Sequence, residues 1–194
     1  MRYKMKKLLI ALDIGNVCVK ISHQNFPAAL GIDNLPDDVK QLMHDYETGK
    51  IETEDEFLQK TSAAFQHKFP LEKLKDAFDS ILIEAVTGMP ELVASFPDSG
   101  IKAVFFSDIS PTHLKRTELL FSAFHTMAGG VFSFKSGSWK PGEAMFSMFE
   151  KNYGTPDFYF DDRADLVEAA RKHGWNAIVF TSAKDLREKI MLAG

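Results

Sequence analysis

Leu8-Leu9-Ile10-Ala11-Leu12-Asp13-Ile14-Gly15-Asn16-Val17 is the stretch from which the architecture can be read. Five consecutive apolar residues suit a strand covered on both faces, as in a parallel sheet, where alternation is lost. Gly15 and Asn16 signal a turn, so Asp13 is left at the carboxyl tip of that strand.

Apolar runs of the same kind recur at residues 101–106, 158–160 and 177–180. The last two enclose residues 164–173, rich in Ala, Glu and Arg, with Gly174 where a helix-terminating glycine is expected. Strand, helix and strand at this spacing form a βαβ unit. Further helices are expected at 142–151, after Pro141, and at 183–192. The interval from about 25 to 87 differs, because its apolar residues fall at helical spacing in 37–47, 53–67 and 71–85. Pro36, Thr48-Gly49-Lys50 and Pro70 break these helices, and Thr53 with Glu56 has the form of a capping box. A helical insert of roughly 60 residues thus interrupts an α/β sheet after its first strand.

Composition narrows the function. The 194 residues are 45% hydrophobic, ample for a packed core. A net charge of −4, with both signs mixed along the chain, excludes the basic stripe of a nucleic-acid binder. The one basic run, residues 2–7, leads into an apolar segment too short for a signal sequence. No stretch approaches the roughly 20 apolar residues that a membrane helix needs. The single cysteine, Cys18, reads as a small core residue and fits a reducing, cytoplasmic compartment.

Taken singly, the polar residues at the strand ends have ordinary explanations: Asp13 as a turn residue, Ser107-Asp108 as a helix cap, Lys140 as a solvated helix start. Asp161-Asp162 is the exception, since adjacent like charges are unfavourable without a neutralising cation. In an open parallel sheet, ligands bind outside the carboxyl ends of the strands. Asp13, Ser107 and Asp161-Asp162 each follow an apolar strand, so they converge on one edge. Carboxylates, a hydroxyl and a lysine there suit a hard divalent cation together with an anionic, phosphorylated ligand.

In order along the chain, Leu12-Asp13-Ile14-Gly15-Asn16-Val17, Phe106-Ser107, Trp139-Lys140-Pro141 and Phe160-Asp161-Asp162-Arg163-Ala164-Asp165 resemble the four motifs of the haloacid dehalogenase-like (HAD-like) hydrolases. The resemblance covers nearly the whole chain. It is nearest to a subgroup that includes bacterial sugar-phosphate phosphatases such as the glucose-1-phosphate phosphatase. It implies a Rossmann-like α/β core with a parallel sheet and helices on both faces, residues 1–22 and 88–194, and a small all-helical cap, residues 23–87. It further implies a magnesium-dependent phosphohydrolase of small phosphorylated metabolites, with sugar phosphates an extrapolation from the subgroup. Asp13 is then the nucleophile that forms an aspartyl-phosphate. Asp13, the Gly15 carbonyl and Asp162 hold magnesium, with Asp161 a direct or water-mediated ligand. Ser107 and the backbone near Asp108 hold phosphate oxygens, and Lys140 orients the nucleophile and offsets charge. Trp139 and Phe106 are expected to pack.

The sequence also departs from the family pattern. Most family phosphatases carry a second Asp two residues after the nucleophile, which protonates the leaving alcohol and later activates water; here that position is Gly15, as in the resembled subgroup. His23 is a candidate substitute, though an ordinary histidine at the cap junction is the simpler account. Lys20 stands where the subgroup often has an acidic residue, and Leu166 where an Asn is common. These departures keep open a catalytically impaired module that binds a phosphorylated ligand or partner. A metal-independent 2-haloacid dehalogenase is opposed by Gly15, where that branch has an aromatic residue, and by the intact Asp161-Asp162 pair. His44, Tyr46 and Lys50 are the polar residues that the cap offers near a helix end, all ordinary surface residues on the simplest account. Substrate identity and oligomeric state are not legible.

Overall fold

The computed structural model describes residues 8–192, so the basic run at residues 2–7 lies outside the described residues. Five parallel strands form the main sheet in the order β5 (Gly130–Phe132), β4 (Ile101–Ser107), β1 (Leu8–Leu12), β6 (Phe158–Asp161), β7 (Ala177–Val179). The first strand is therefore central. It pairs Leu8 with Ile101 through Leu12 with Phe105 on one side, and Ile10 with Phe158 through Leu12 with Phe160 on the other.

Period-two alternation sorts these apolar runs onto two buried faces, which is why they read as continuous hydrophobic stretches. On one face Ala11, Val104, Phe106 and Tyr159 pack with Met145, Phe146 and Phe149 of α8 (Glu143–Tyr153), Val167 and Ala170 of α9 (Ala164–His173), and Trp175. On the other face Ile10, Leu12, Ala103, Phe105, Phe158 and Phe160 join the larger core. That core takes in α5 (Met89–Ala94), α6 (Pro111–Leu120) and α10 (Ala183–Met191), together with α1 (Asn25–Leu30), α2 (Asp37–Glu47), α3 (Glu54–Ala64) and α4 (Leu71–Asp79). A single helical turn, α7 (Ser133–Ser136), follows β5. Gly174, with φ of 105°, ends α9 as expected, its N–H reaching the Arg171 carbonyl at 3.0 Å. Thr53 caps α3 by accepting the Glu56 N–H at 3.2 Å.

The expected helix over 71–85 stops at Asp79. Leu82–Ala85 is instead a strand, β3, antiparallel to β2 (Val19–Ile21). The Ser22 N–H to Ile81 carbonyl and Val86 N–H to Cys18 carbonyl bonds continue that pairing. Ile81 and Leu82 keep the apolar face of α4 in phase, so periodicity alone extends the helix through the turn at Ser80. Likewise the expected helix over 53–67 ends at Ala64, because Gln66 and His67 are left-handed at φ of 53° and 57°. The two-stranded flap thus brackets the four helices, one strand before them and one after, with Lys20 paired to Glu84 across it at 2.7 Å. Cys18 is buried. Among the described residues no helix is long and apolar enough to cross a membrane.

Candidate active site

The loops after β1, β4 and β6 meet at the carboxyl edge of the sheet, around a cavity of about 390 Å³. Asp13, Gly15, Ser107, Asp108, Lys140 and Asp162 line it, with His23, Glu47 and Trp139 at its upper wall. Sheet register explains the meeting. Asp13 continues β1, its N–H bonded to the Phe160 carbonyl at 3.0 Å, which sets it beside Asp161.

Lys140 is the hub. Its ammonium lies 2.9 Å from Asp13 Oδ1, 2.7 Å from Asp161 Oδ2 and 3.2 Å from both the Phe106 carbonyl and the Tyr159 hydroxyl. The lysine side chain is 3% exposed, and its desolvation penalty is offset by these oxygens and by the Phe106 and Tyr159 rings, 5.6 and 5.7 Å away. Burial alone would depress its pKa, but Asp13, Tyr159 and Asp161 outweigh burial and hold it well above the ordinary lysine value. Asp108 Oδ1 accepts the Lys140 backbone N–H at 2.9 Å and so fixes the chain that carries the hub.

Asp13 is pushed up from 3.8 to about 7, first by burial and also by Asp161, while Lys140 and the Ser107 hydroxyl pull it down. Asp13 therefore carries its negative charge at the expense of desolvation, a state a cation would relieve. Burial likewise raises Asp108, against the pull of Lys140.

One ligand atom each from Asp13, Asp161 and Asp162 lies within 4.8 Å of the others. An all-oxygen donor set of this kind fits a hard divalent cation such as magnesium. The three carboxylates are not equivalent. Asp13 and Asp162 line the cavity with Gly15, whereas Asp161 stands behind them, fully buried. Its Oδ1 accepts the Arg163 N–H at 2.9 Å, and its Oδ2 accepts from Lys140 and the Tyr159 hydroxyl.

Asn16 joins the parts. It adopts φ of 53°, a left-handed conformation that Asn tolerates. Its Oδ1 accepts the Ile21 N–H of the flap at 3.0 Å, and its Nδ2 donates to Asp162 Oδ2 at 2.9 Å. At Gly15 a Cβ would stand 2.9 Å from Ile21 Cδ1, so the flap fills the space that a side chain there would enter.

The structure thus gathers Asp13, Gly15, Ser107, Asp108, Lys140, Asp161 and Asp162 in one place. Phe106 is buried in packing as expected, but Trp139 is 39% exposed, its ring edge-on to His44 at 4.3 Å. Trp139 is a wall of the cavity rather than a core residue, because the chain at Lys140 turns inward while its neighbour faces out. Of the cap residues, Tyr46 is buried and hydrogen-bonds the Thr112 hydroxyl at 2.7 Å, while Lys50 is an exposed partner of Asp45 at 3.0 Å. His23 lines the cavity mouth, and Leu166 is a buried part of its wall. Tyr159 belongs to none of the four motifs, although its position two residues before Asp161 on a strand places both on one face. Glu47 carries no sequence signal.

No protein-family model and no curated protein matches the chain. Solved structures do. A HAD family enzyme from Bacteroides thetaiotaomicron superposes with a TM-score of 0.80 at 15% identity, over 90% of this chain and 94% of that one. The same enzyme in complex with magnesium and inorganic phosphate gives 0.78 at 16%, over 91% and 96%. A protein from Porphyromonas gingivalis described as a predicted HAD-like family hydrolase gives 0.78 at 17%, over 96% and 97%. A dehalogenase gives 0.64 at 13%, over 92% and 95%. At such identities the likeness is one of architecture: the chain has the fold of the HAD-family hydrolases.

Proposed function

We propose that this protein is a magnesium-dependent phosphohydrolase acting on a small phosphorylated metabolite, with Asp13 as the nucleophile. The observation that carries this is Lys140 placed between Asp13 and Asp161, at 2.9 and 2.7 Å, with Asp162 and Ser107 beside them. A phosphoryl group in the cavity would have cationic charge on both sides, which is most of what phosphoryl transfer requires.

In this account Asp13, the Gly15 carbonyl and Asp162 hold the metal, and Asp161 acts through a water and through Lys140. When bound, magnesium would polarise the phosphoryl oxygens and neutralise charge in the transition state. Asp13 attacks phosphorus and carries the phosphoryl group as an aspartyl-phosphate. Lys140 holds the attacking carboxylate in line, and Ser107 with the backbone at Asp108 binds the non-bridging oxygens. Residues 23–87 act as a cap over the chamber, and a volume of about 390 Å³ suits a small metabolite. The magnesium and phosphate complex of the Bacteroides enzyme, which shares this fold, supports the same chemistry here.

A second reading has one observation in its favour. Ile21 occupies the space in which an acid at position 15 would stand, as expected of a module that binds a phosphorylated ligand without turning it over. Phosphate release from a panel of phosphomonoesters, with and without magnesium, separates the two when wild type is compared with Asp13→Asn. Turnover that survives the substitution, or that needs no metal, excludes the mechanism. Phosphate binding without turnover favours the binding module, and halide release from 2-haloacids favours a dehalogenase.

A further inference from the structure

Cleavage of an alkyl phosphate leaves an alkoxide unless a proton reaches the departing oxygen, and Gly15 has no group to supply it. On the phosphatase reading, on which this proposal rests, another side chain must carry that proton. Several protic groups lining the chamber are committed elsewhere. Lys140 is held by Asp13 and Asp161, and Arg163 pairs with Asp165 at 2.6 Å. His113 is buried, with Nε2 on the Phe78 carbonyl at 3.0 Å. Asp108 lies on the floor, accepting the Lys140 N–H. His23 sits at the exposed mouth, and partial burial shifts its pKa down, which disfavours the protonated form.

Glu47, the last residue of α2, is placed differently. The Ser133 hydroxyl donates to the Glu47 carbonyl at 2.6 Å and accepts the Ile109 N–H at 2.9 Å. One hydroxyl therefore ties the end of α2 to the loop that follows Ser107. The neighbours of Glu47 are pinned as well. Tyr46 bonds Thr112 at 2.7 Å, and at Gly49 a Cβ would come within 2.3 Å of the Phe134 carbonyl oxygen, so only glycine permits that approach. The backbone of Glu47 is thus fixed beside the loop that follows Ser107, and the residue lines the chamber. It also lines a second cavity of about 300 Å³, between α1 and α2, that shares His23, Glu47 and Trp139 with the first. Glu47 consequently stands on the boundary between the chamber for the phosphoryl group and the chamber open to the rest of an ester. A phosphomonoester spanning both cavities would carry its bridging oxygen across that boundary.

We infer that Glu47 is the catalytic proton carrier, donating to the leaving-group oxygen and later accepting a proton from the attacking water. In the first step the Asp13 oxygen bonds to phosphorus and the bond from phosphorus to the leaving oxygen breaks. The leaving oxygen keeps the electron pair and takes the Glu47 proton, releasing an alcohol. In the second step water adds to phosphorus and gives a proton to the Glu47 carboxylate. The Asp13–phosphorus bond then breaks, and phosphate and both starting carboxyl states are regenerated. The titratable side chains that line the second cavity with Glu47 are His23, Lys40 and His44, while Asp108 from the β4 loop and Lys140 from the turn before α8 line the first cavity with it. Burial, with Asp108 adding to it, pushes Glu47 up from 4.5 to about 8, so the acid form is present at neutral pH. A pKa near the working pH suits a group that both gives and takes a proton.

The test compares kcat/KM for an alkyl phosphate and for p-nitrophenyl phosphate, whose leaving group departs unprotonated. It uses the magnesium-loaded full chain as wild type, Glu47→Gln and Glu47→Asp. For Glu47→Gln a loss of ~10²-fold or more is expected on the alkyl ester and a far smaller one on the aryl ester. Glu47→Asp should restore part of the alkyl activity. Equal losses on both esters, or no loss on either, overturn the inference while leaving the phosphatase reading intact. A wild type inert toward both esters overturns that reading and this inference with it.

Discussion

The Asn16 side-chain amide donates to the Asp162 carboxylate at 2.9 Å, across 146 residues of sequence. Through its oxygen the same Asn16 also holds the Ile21 N–H, so one side chain sets both the flap and a proposed metal ligand. Groups that orient metal ligands typically contribute 10–100-fold in metal affinity or activity. Asn16→Gly keeps the left-handed backbone available and removes the amide. It is expected to raise the magnesium concentration for half-maximal activity about 10-fold or more, with little change in the far-ultraviolet circular dichroism. An unchanged magnesium titration would show that Asp162 needs no such support.

Asp13→Asn should abolish phosphate release yet leave the fold at least as stable. Burial holds the carboxyl at about 7 in the fold, against an ordinary 3.8. A raised carboxyl favours the fold while it is protonated, and that contribution is lost as pH rises from about 4 through 7. Asparagine carries no such loss. In the absence of divalent cations the melting temperature of Asp13→Asn should therefore equal or exceed that of wild type at pH 8, with the gap closing toward pH 4. Calorimetry across that range decides it.

Lys140→Met is the opposite case. It removes the cation between two buried carboxylates and leaves them to protonate or repel. Breaking one side of a buried pair typically destabilises by ~3–5 kcal/mol. For a chain of this length the melting temperature should fall by about 10 °C, and activity should vanish. A variant as stable as wild type in urea unfolding would refute the hub role.

Much of this core could be read from the chain. Asp13, Ser107 and Asp161-Asp162 were legible because each ends an apolar run, and parallel topology sends strand ends to one edge. The β2–β3 flap was not, since Leu82 continues the helical phase of α4 and only tertiary pairing decides between the two periods. Strand β5 is three residues beginning with Gly130, too short for any pattern. Glu47 and Asn16 matter through contacts made across the fold, by way of Ser133 and Asp162, which local sequence does not encode.

His113 is expected to make the fold acid-labile. Its ring stacks on Phe78 at 4.0 Å, and burial lowers its pKa from 6.5 to about 4. A lowered histidine leaves the fold at full stability above 6.5, with stability lost as pH falls from 6.5 toward 4. The gap is worth up to about 3 kcal/mol at 1.36 kcal/mol per unit. Urea unfolding at pH 7 and pH 4.5 should show the wild type losing stability more steeply than His113→Gln. Parallel curves would remove His113 as the cause.

Restoring an acid at position 15 should meet Ile21. A Cβ there lies 2.9 Å from Ile21 Cδ1, a contact that side-chain rotation or truncation relieves. Gly15→Asp is expected to destabilise by ~1–3 kcal/mol through overpacking, and Ile21→Ala to recover part of that in the double variant. A double-mutant cycle in urea that shows strict additivity would mean that the two positions do not compete for space.

The central place of β1 has a consequence for how the chain is made. The strand that carries Asp13 precedes both its neighbours in the sheet by many residues, so it is synthesised well before either of them. Lys140 follows Asp13 by 127 residues, and Asp162 follows Asn16 by 146. Until β4 and β6 arrive, the nascent chain presents a bare apolar strand with two open edges, the kind of surface that invites aggregation or chaperone capture. The wide sequence separation also predicts slow folding, in the millisecond-to-second regime of non-local topologies. Translation stalled before residue 158 would leave Asp13 and Lys140 without Asp161, so this site is complete only once β6 has been made.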